Sequence, residues 1–293
     1  MKIPFAKLSP GGNTTILLDM PAPEGAMRAQ LANVLMNPLH LGGEQVGFMT
    51  MDGNAVPYLE MMGGEFCGNA ARSFAAILVM RGHSALAADG DSPHYSGVIR
   101  VSGASEPVRV EVAVRDVPAV FSSGIAGVRK AYDASVRLSL PQNTEGLLRR
   151  VEPGVDVVAL EGITHVLLDA AKHPMPADHV AECARIRSHL ELEQHDAVGC
   201  VWYARKNGAM QIDPVVWVRE TRSTHHETGC GSGSVALGVL ETLRTGEAFS
   251  ALVVQPSGQS IHARIEYYGA AGFGGAWIGG EVRLIAQGET RLY

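Results

Sequence analysis

The chain has 293 residues, 46% of them hydrophobic and 18% charged, and this composition excludes a disordered or fibrous protein. Its formal net charge of −6 at pH 7, without a long run of Lys or Arg, excludes the electrostatic surface typical of nucleic-acid binding. No segment has the apolar length of a signal peptide or a membrane span, so we expect a cytoplasmic protein with neither nucleic acid nor membrane as a partner.

The first half of the chain alternates predicted strands with two predicted helices. Helical spacing of apolar residues predicts helices over 24–36 and 69–81, and the second has so little polar surface that it should be buried. Residues 84–94 read as a loop. Runs of β-branched and apolar residues predict strands at 3–8, 14–19, 45–51, 56–62, 96–102, 108–114 and 136–140, the first two forming a hairpin.

The second half repeats this plan. Helices are predicted over 176–190 and 232–244. Strands are predicted at 198–204, 215–222, 251–255, 261–266 and 276–285, and within 157–169, where a loop precedes the strand. In each half a glycine-flanked cysteine directly precedes an Ala- or Gly-rich buried helix. We therefore expect two α/β halves related by duplication, which meet near residues 125–130.

Two of the four cysteines stand in matching contexts, Cys67 in Phe-Cys-Gly-Asn-Ala and Cys230 in Gly-Cys-Gly-Ser-Gly. A helix start presents unpaired N–H groups and the positive end of the helix dipole, so we expect it to lower the pKa of a thiol there. The residues after each cysteine are expected to meet a ligand, Gly68 and Gly231 through the backbone and Asn69 and Ser232 through their side chains.

If both helix starts face one cleft, the two thiols flank a small ligand on opposite sides. Inversion of a stereocentre that carries a proton needs a base on one face and an acid on the other. Amides at the two helix N-termini would stabilise the carbanion between them. This chemistry requires neither a metal nor an organic cofactor such as pyridoxal phosphate.

The alternative for either cysteine taken alone is a small buried apolar residue, which is the commoner role. Cys183 and Cys200 have no comparable context, and we interpret both as core residues. The four cysteines also lack the paired spacings of zinc sites and do not form a disulfide scaffold in a chain of this length. The adjacent His225 and His226 could suggest metal binding, but neighbouring residues on a strand point to opposite faces, so we expect a solvated or pocket-rim role for them and no metal site.

At the two cysteine motifs the sequence resembles the diaminopimelate epimerase-like superfamily of cofactor-independent amino-acid racemases and epimerases. The resemblance extends over Gly12-Asn13, Glu44-Gln45, Cys67-Gly68-Asn69, Cys230-Gly231-Ser232-Gly233 and Gln255-Pro256-Ser257-Gly258. It implies an α+β fold of two pseudo-symmetric domains, each a mostly antiparallel sheet wrapped around a central helix. We expect these domains over residues 1–127 and 128–281, with a last strand, 282–293, returning to the first.

The sequence departs from diaminopimelate epimerases in the groups that read the distal end of their substrate. Those enzymes carry a Glu-Arg pair shortly before the second cysteine, where this chain has Thr221 and Arg222. They also carry an asparagine in a Gly-Asn-Pro-His loop, where residues 162–165 read Gly-Ile-Thr-His. We therefore expect the second amino-acid group of diaminopimelate to have fewer binding partners in this chain.

Segments 9–17, 44–48 and 64–70 look more like the histidine racemases that supply D-histidine for nicotianamine-like metallophores. That resemblance implies interconversion of L- and D-histidine with Cys67 and Cys230 as the acid/base pair. It implies a substrate site that includes Asn13, Glu44, Gln45, His165 and Arg222. Glu44 has two open interpretations: it holds the imidazole or ammonium group of the substrate, or it is a loop carboxylate satisfied by backbone amides.

Four other functions are open alternatives. Diaminopimelate epimerases and proline or hydroxyproline racemases use the same paired thiols, whereas PhzF-like isomerases share the fold but use a glutamate near the position of Glu44 as acid/base. A non-enzymatic amino-acid-binding protein would have no need of a thiol on both faces, so the cysteine pair favours a racemase. A homodimer is an open alternative for the oligomeric state.

Overall fold

The computed structural model describes residues 2–51, 56–120, 126–141, 144 and 146–291. Four helices form in these ranges: α1 Ala26–Met36, α2 Gly68–Met80, α3 His179–His189 and α4 Gly231–Thr245. The strands are β1 Lys2–Pro10, β2 Thr15–Leu18, β3 Gln45–Thr50, β4 Tyr58–Met61, β5 Leu86–Ala88, β6 His94–Val101, β7 Val108–Val120, β8 Ala126–Leu138, β9 Leu148–Glu152, β10 Val155–Leu160, β11 Ile163–Asp169, β12 Ala197–Lys206, β13 Ala209–Val218, β14 Ser223–His226, β15 Phe249–Val254, β16 Ser260–Tyr267 and β17 Phe273–Arg291. The four predicted helices are confirmed, with small differences at their ends. No helix in the described ranges combines the length and apolarity needed to cross a membrane.

The strands of the first half close into a ring around α2. β1 pairs with β2, and the ring continues through β3, β4, β6, β7 and β8 to β17, which pairs back onto β1. Eleven of the thirteen residues of α2 are buried inside this ring. Its small side chains let the surrounding strands pack closely against the helix, which explains the apolar character of the sequence there.

The second half wraps α4 in the same way with an open sheet. This sheet runs from β9 through β10, β11, β12, β13, β15 and β16 to β17, and β14 lies beside β13. Ten of the fifteen residues of α4 are buried. Gly238 permits this close approach, since a Cβ there would lie only 2.8 Å from Cγ1 of Ile265.

The two halves repeat one order of elements. Each has an antiparallel hairpin, an outer helix, a strand parallel to the hairpin's second strand, an antiparallel neighbour, the buried helix and a strand parallel to that neighbour. The parallel pairs are β2–β3 and β4–β6 in the first half and β11–β12 and β13–β15 in the second. The predicted fold class, two pseudo-symmetric mostly antiparallel sheets around central helices, is confirmed.

The long strand β17 belongs to both halves. Its first residues pair with β16, and residues 282–291 pair with β1. The division at residues 127 and 128 stays a prediction. Of the region 125–130, where the halves are expected to meet, residues 126–130 form the start of β8, and residue 125 lies outside the described residues. The same holds for residues 292 and 293 of the expected last strand.

Two strand predictions and one loop prediction were wrong in detail. Residues 157–169 hold two strands rather than a loop and a strand, because the run is buried on both faces and hides the turn at Gly162, where φ is 78°. The expected strand 215–222 ends at Val218 and starts earlier, after a turn at Asn207 and Gly208 with φ of 51° and 81°. The loop at 84–94 contains the short strand β5.

The outer helices α1 and α3 pack on the outside of the two sheets. α3 places Cys183 beside Cys200 of β12 in an apolar cluster with Ile186, Trp202 and Val215. Both cysteines are at most 3% exposed. Their interpretation as core residues is confirmed, and the two motif cysteines, which are also buried, belong to a different cluster.

Candidate active site

Cys67 and Cys230 are the N-cap residues of the two buried helices. Their backbone angles are nearly the same, φ −128° and ψ 106° at Cys67 and φ −123° and ψ 107° at Cys230. Each sulfur accepts a hydrogen bond from the N–H group three residues on, at 3.3 Å from Ala70 and 3.4 Å from Gly233. Each thiol therefore takes the place that a capping oxygen of Ser or Asp usually occupies.

Both thiols line one cavity between the halves, with a volume of about 40 Å³. Six of the other predicted site residues lie on its walls: Glu44, Gln45, Gly68, Asn69, Gly231 and Ser232. A volume of this size holds few water molecules, so the side chains of the cavity walls lie close together.

Two hydrogen bonds connect the Cys67 thiol to Glu227 of the other half. The Cys67 thiol donates to Oε1 of Gln45 at 2.9 Å, and Nε2 of Gln45 donates to Oε1 of Glu227 at 3.1 Å. The Glu227 carboxylate also lies close enough to Cys230 to raise the pKa of its thiol. Each thiol therefore has a polar partner inside the cavity as well as a helix N-terminus behind it.

The thiols are less acidic than the sequence predicted. Burial raises the pKa of Cys67 to about 12, and it outweighs the N–H group of Ala70, which lowers the pKa. Burial and the Glu227 carboxylate also raise the pKa of Cys230 well above its ordinary value. The expectation of a lowered thiol pKa was wrong for the closed cavity, because the packing of both halves removes the water that would solvate a thiolate.

Sequence reasoning missed two buried carboxylates on the cavity walls, Glu65 and Glu227. Burial raises the pKa of Glu227 to about 7 and also raises the pKa of Glu65, whose Oε2 accepts the N–H of Gly63 at 2.8 Å. Neither has a Lys, Arg or His partner within 4 Å among the described residues. A carboxylate two or three residues before each cysteine was the signal in the sequence that pointed to them.

Glu44 is held by five hydrogen bonds. Its carboxylate accepts from Nδ2 of Asn13, from the N–H and Oγ1 of Thr14, and from the N–H and Oγ1 of Thr228, at distances of 2.6 to 3.4 Å. These contacts fasten the β1–β2 turn to the loop before Cys230. The geometry favours the second interpretation of Glu44, a satisfied loop carboxylate, although the side chain still lines the cavity. Asn13 is fully buried behind it and is not on the cavity wall.

His165 lies behind Ser232 rather than on the cavity wall. Its Nε2 is 2.9 Å from Oγ of Ser232, which in turn is 3.6 Å from Sγ of Cys230. The imidazole is fully buried, and burial lowers its pKa to about 3. His165 is therefore a neutral group that positions Ser232, and the expectation that it lines the cavity was wrong because β11 directs it into the core.

The structure does not bring Arg222 to the cavity. The residue sits exposed in the turn after β13 with φ of 50°, because the strand that was expected to carry it ends at Val218. His225 of β14 lines the cavity instead, whereas His226 is on the other side of the strand, with Nε2 3.6 Å from Oδ1 of Asp213. Within the described ranges no group of His, Cys, Asp and Glu is arranged to hold a metal ion.

The family model for the histidine racemase CntK N-terminal domain matches residues 2–291. The chain belongs to this histidine racemase family. The resemblance stated from the cysteine motifs, both to the superfamily and to its histidine racemase branch, is thereby confirmed.

Individual relatives agree with the family over the full length. A histidine racemase of Fusobacterium nucleatum subsp. nucleatum is 29% identical over 292 residues, which cover 98% of this chain and 97% of the relative. A hydroxyproline epimerase from Agrobacterium vitis with bound trans-4-hydroxy-L-proline superposes with a TM-score of 0.63 at 10% identity, over 99% of this chain and 92% of that one. A PhzF-family protein from Enterococcus faecalis gives 0.57 at 15% identity, over the whole of both chains. These two structures show a shared fold.

Proposed function

We propose that this histidine racemase family member interconverts L- and D-histidine without a cofactor, with Cys67 and Cys230 as the two acid/base groups. The observation that carries the proposal is the pair of thiols at the N-termini of the two buried helices, on the walls of one cavity. Two matched groups facing each other are what proton removal on one face and delivery on the other require.

The reaction follows from this arrangement. The thiolate on one side takes the Cα proton, and the thiol on the other side gives its proton to the opposite face of the carbanion. The N–H groups at the starts of α2 and α4 bind the substrate carboxylate and stabilise the negative charge that spreads onto it. One proton enters and one leaves Cα in each turnover, so the configuration inverts and no redox partner is needed.

Glu227 is the group that we assign to formation of the thiolate. It lies close enough to raise the pKa of the Cys230 thiol, and its own pKa of about 7 makes it a stronger base than an ordinary carboxylate. Transfer of the Cys230 proton to Glu227 produces the thiolate without moving charge out of the cavity. Substrate dipoles that replace the lost water then stabilise the sulfur charge.

The two buried carboxyl groups of the cavity favour histidine over the alternatives. Glu65 and Glu227 have no ion-pair partner within 4 Å among the described residues, so the ammonium group and the protonatable imidazole of histidine find acceptors there. Diaminopimelate would bring a second carboxylate, and Arg222 is too far outside the cavity wall to receive it. A PhzF-like role for Glu44 is disfavoured, since its five hydrogen bonds fasten the carboxylate to the β1–β2 turn and to the loop before Cys230.

The test is solvent isotope exchange. The protein is incubated with L-histidine in D2O, and we expect deuterium at Cα together with D-histidine, followed by proton NMR and chiral chromatography. L-proline, trans-4-hydroxy-L-proline and LL-diaminopimelate are run in parallel. If any of these amino acids exchanges faster than L-histidine, that amino acid is the better candidate substrate. Absence of exchange with every amino acid tested would remove the racemase proposal.

The supply of D-histidine to a nicotianamine-like metallophore, a cytoplasmic location and a homodimeric state stay predictions. Chromatography coupled to light scattering tests the dimer directly. A strain that lacks the gene and loses both D-histidine and metal uptake would support the metallophore role.

A further inference from the structure

Arg72 is a charged residue in the interior of the first half. It lies in α2 five residues after Cys67, and its side chain is fully buried. Its guanidinium donates one hydrogen bond, from Nη2 to Oδ1 of Asn69 at 3.3 Å. Nε and Nη1 are buried without a hydrogen-bond partner among the described residues, and none of those residues forms an ion pair with the group. Burial of a charge without a partner costs free energy, so we expect Arg72 to have a function that offsets this cost.

Two glycines from other elements border this guanidinium. A Cβ on Gly280 of β17 would lie 3.3 Å from Nη1, which is a tight contact, and one on Gly11 in the β1–β2 turn would lie at the ordinary contact distance of 3.7 Å from Nη2. Both glycines also have positive φ, 135° and 70°, which other residues rarely adopt. The space for a buried cation is therefore built by three separate parts of the fold.

Through its hydrogen bond to Asn69, Arg72 is connected to the segments that carry both thiols. Asn69 lies in the first turn of α2, two residues after Cys67, and its Nδ2 donates to the carbonyl oxygen of Gly229 at 2.8 Å. Because Arg72 occupies the amide oxygen of Asn69, the amide nitrogen faces Gly229. Gly229 directly precedes Cys230, so this contact fastens the loop of the second thiol to the helix of the first.

The charges around Cys67 are otherwise negative. Glu65 and Glu227 both raise the pKa of its thiol, and no cation is paired with either within 4 Å among the described residues. Burial lowers the pKa of Arg72 to about 10, whereas the Cys67 side chain and, to a smaller extent, Asp133 of β8 raise it. The hydrogen bond to Asn69, in the first turn of the helix that Cys67 caps, holds the guanidinium toward the N-terminus of α2, so we expect it and a thiolate at Cys67 to stabilise each other.

We propose that Arg72 is a positioning residue of this site: its buried positive charge stabilises the Cys67 thiolate, and its hydrogen bond orients Asn69 toward the loop of Cys230. The proposal rests on the proposed function in one respect, that a thiolate at Cys67 acts as a base. The proposal adds a positive charge, that of Arg72, to a site whose other ionisable groups are thiols and carboxyl groups.

The test measures thiol reactivity and needs no turnover, so it remains informative if the racemase proposal fails. Full-length protein is treated with iodoacetamide at pH 8, and modification of Cys67 is timed by peptide mass spectrometry, with Cys230 of the same molecules as internal reference. Arg72→Met and Arg72→Gln remove the charge, and Arg72→Lys keeps it. Arg81→Met, which follows the same helix but is exposed, is the matched control.

Because only the thiolate reacts, a rise of one pKa unit slows modification about tenfold. We expect Cys67 to react about tenfold more slowly relative to Cys230 in the two neutral variants, within about threefold of wild type in Arg72→Lys, and unchanged in Arg81→Met. Circular dichroism and urea unfolding check the fold of each variant.

Three results would overturn the proposal. Folded neutral variants with an unchanged ratio would show that the charge does not act on Cys67. A ratio in Arg72→Lys as low as in the neutral variants would assign the effect to packing. Failure of both neutral variants to fold would assign Arg72 to stability alone.

Discussion

Nε2 of Gln45 donates a hydrogen bond of 3.1 Å to Oε1 of Glu227, a residue 182 positions further along the chain. Gln45 also accepts from the thiol of Cys67, and the Glu227 carboxylate raises the pKa of Cys230. This contact between the two halves therefore links the surroundings of the two thiols. All four side chains line the same cavity, so we expect a bound substrate to compete with the contact.

Replacing either motif cysteine removes one of the two acid/base groups. Cys67→Ser and Cys230→Ser are each expected to lower the rate of histidine racemisation by about 10²- to 10⁴-fold, measured by chiral chromatography. Each variant should keep one-sided proton chemistry, such as elimination from a substrate with a leaving group. Cys183→Ala is the control, since Cys183 lies in the separate cluster under α3. Full racemisation by either single variant would contradict the two-base assignment.

The activity is expected to rise with pH through about 7. Glu227 must be ionised to accept the Cys230 proton, and its pKa is about 7. In Glu227→Gln we expect a lower kcat and the loss of this rise, recorded as kcat against pH from 5.5 to about 9. Glu289→Gln, an exposed carboxylate, is the control. An unchanged pH profile in Glu227→Gln would remove Glu227 from the mechanism.

The same carboxylate should make folding stability depend on pH. Its pKa rises from 4.5 to about 7 in the folded protein, so its contribution to stability is complete below pH 4.5 and is lost as the pH rises through 7. When the pH is raised from 5 to 8, we expect the free energy of unfolding of wild type to fall further than that of Glu227→Gln. The difference between the two losses should be on the order of 2 to 3 kcal/mol. Urea unfolding at both pH values measures this. Equal losses in the two proteins would refute the buried-charge argument.

Glu44 is expected to matter for stability as well as for activity. Its five hydrogen bonds connect the β1–β2 turn to the loop before Cys230, and hydrogen bonds to a charged group each contribute about 1.5 to 3 kcal/mol. Glu44→Gln should therefore lower the free energy of unfolding by about 2 kcal/mol or more. The exposed Glu24→Gln serves as control. A folded Glu44→Gln of wild-type stability with impaired turnover would instead favour a substrate-binding role.

The activity is also expected to require a reducing agent. Both motif thiols are free in the structure and face one cavity, and opening of that cavity exposes them to oxidants. Treatment with diamide should abolish activity, and dithiothreitol should restore it. Bound L-histidine should slow the loss. Activity that is indifferent to the oxidant would show that the thiols are neither exposed nor essential.

Part of the fold and site could be predicted because it depends on local signals. Gly-Asn and Gly-Ser after Cys67 and Cys230 mark helix starts, and the apolar helices that follow can only be buried. The hairpin of β10 and β11 escaped prediction because a strand buried on both faces has no alternation to reveal its turn. Arg222 was misplaced for a related reason, since the end of β13 depends on its partner strands and not on its own residues.

The sequence by itself determined the duplication, the two cysteines at helix N-termini and the membership of a racemase family. Those features depend only on residue types and on their order along the chain. Only the tertiary structure decided how acidic the thiols are, which carboxylates face them and what lies beneath Cys67. Burial, and with it the pKa of Cys67, Glu227 and Arg72, arises when two distant halves pack together and exclude water.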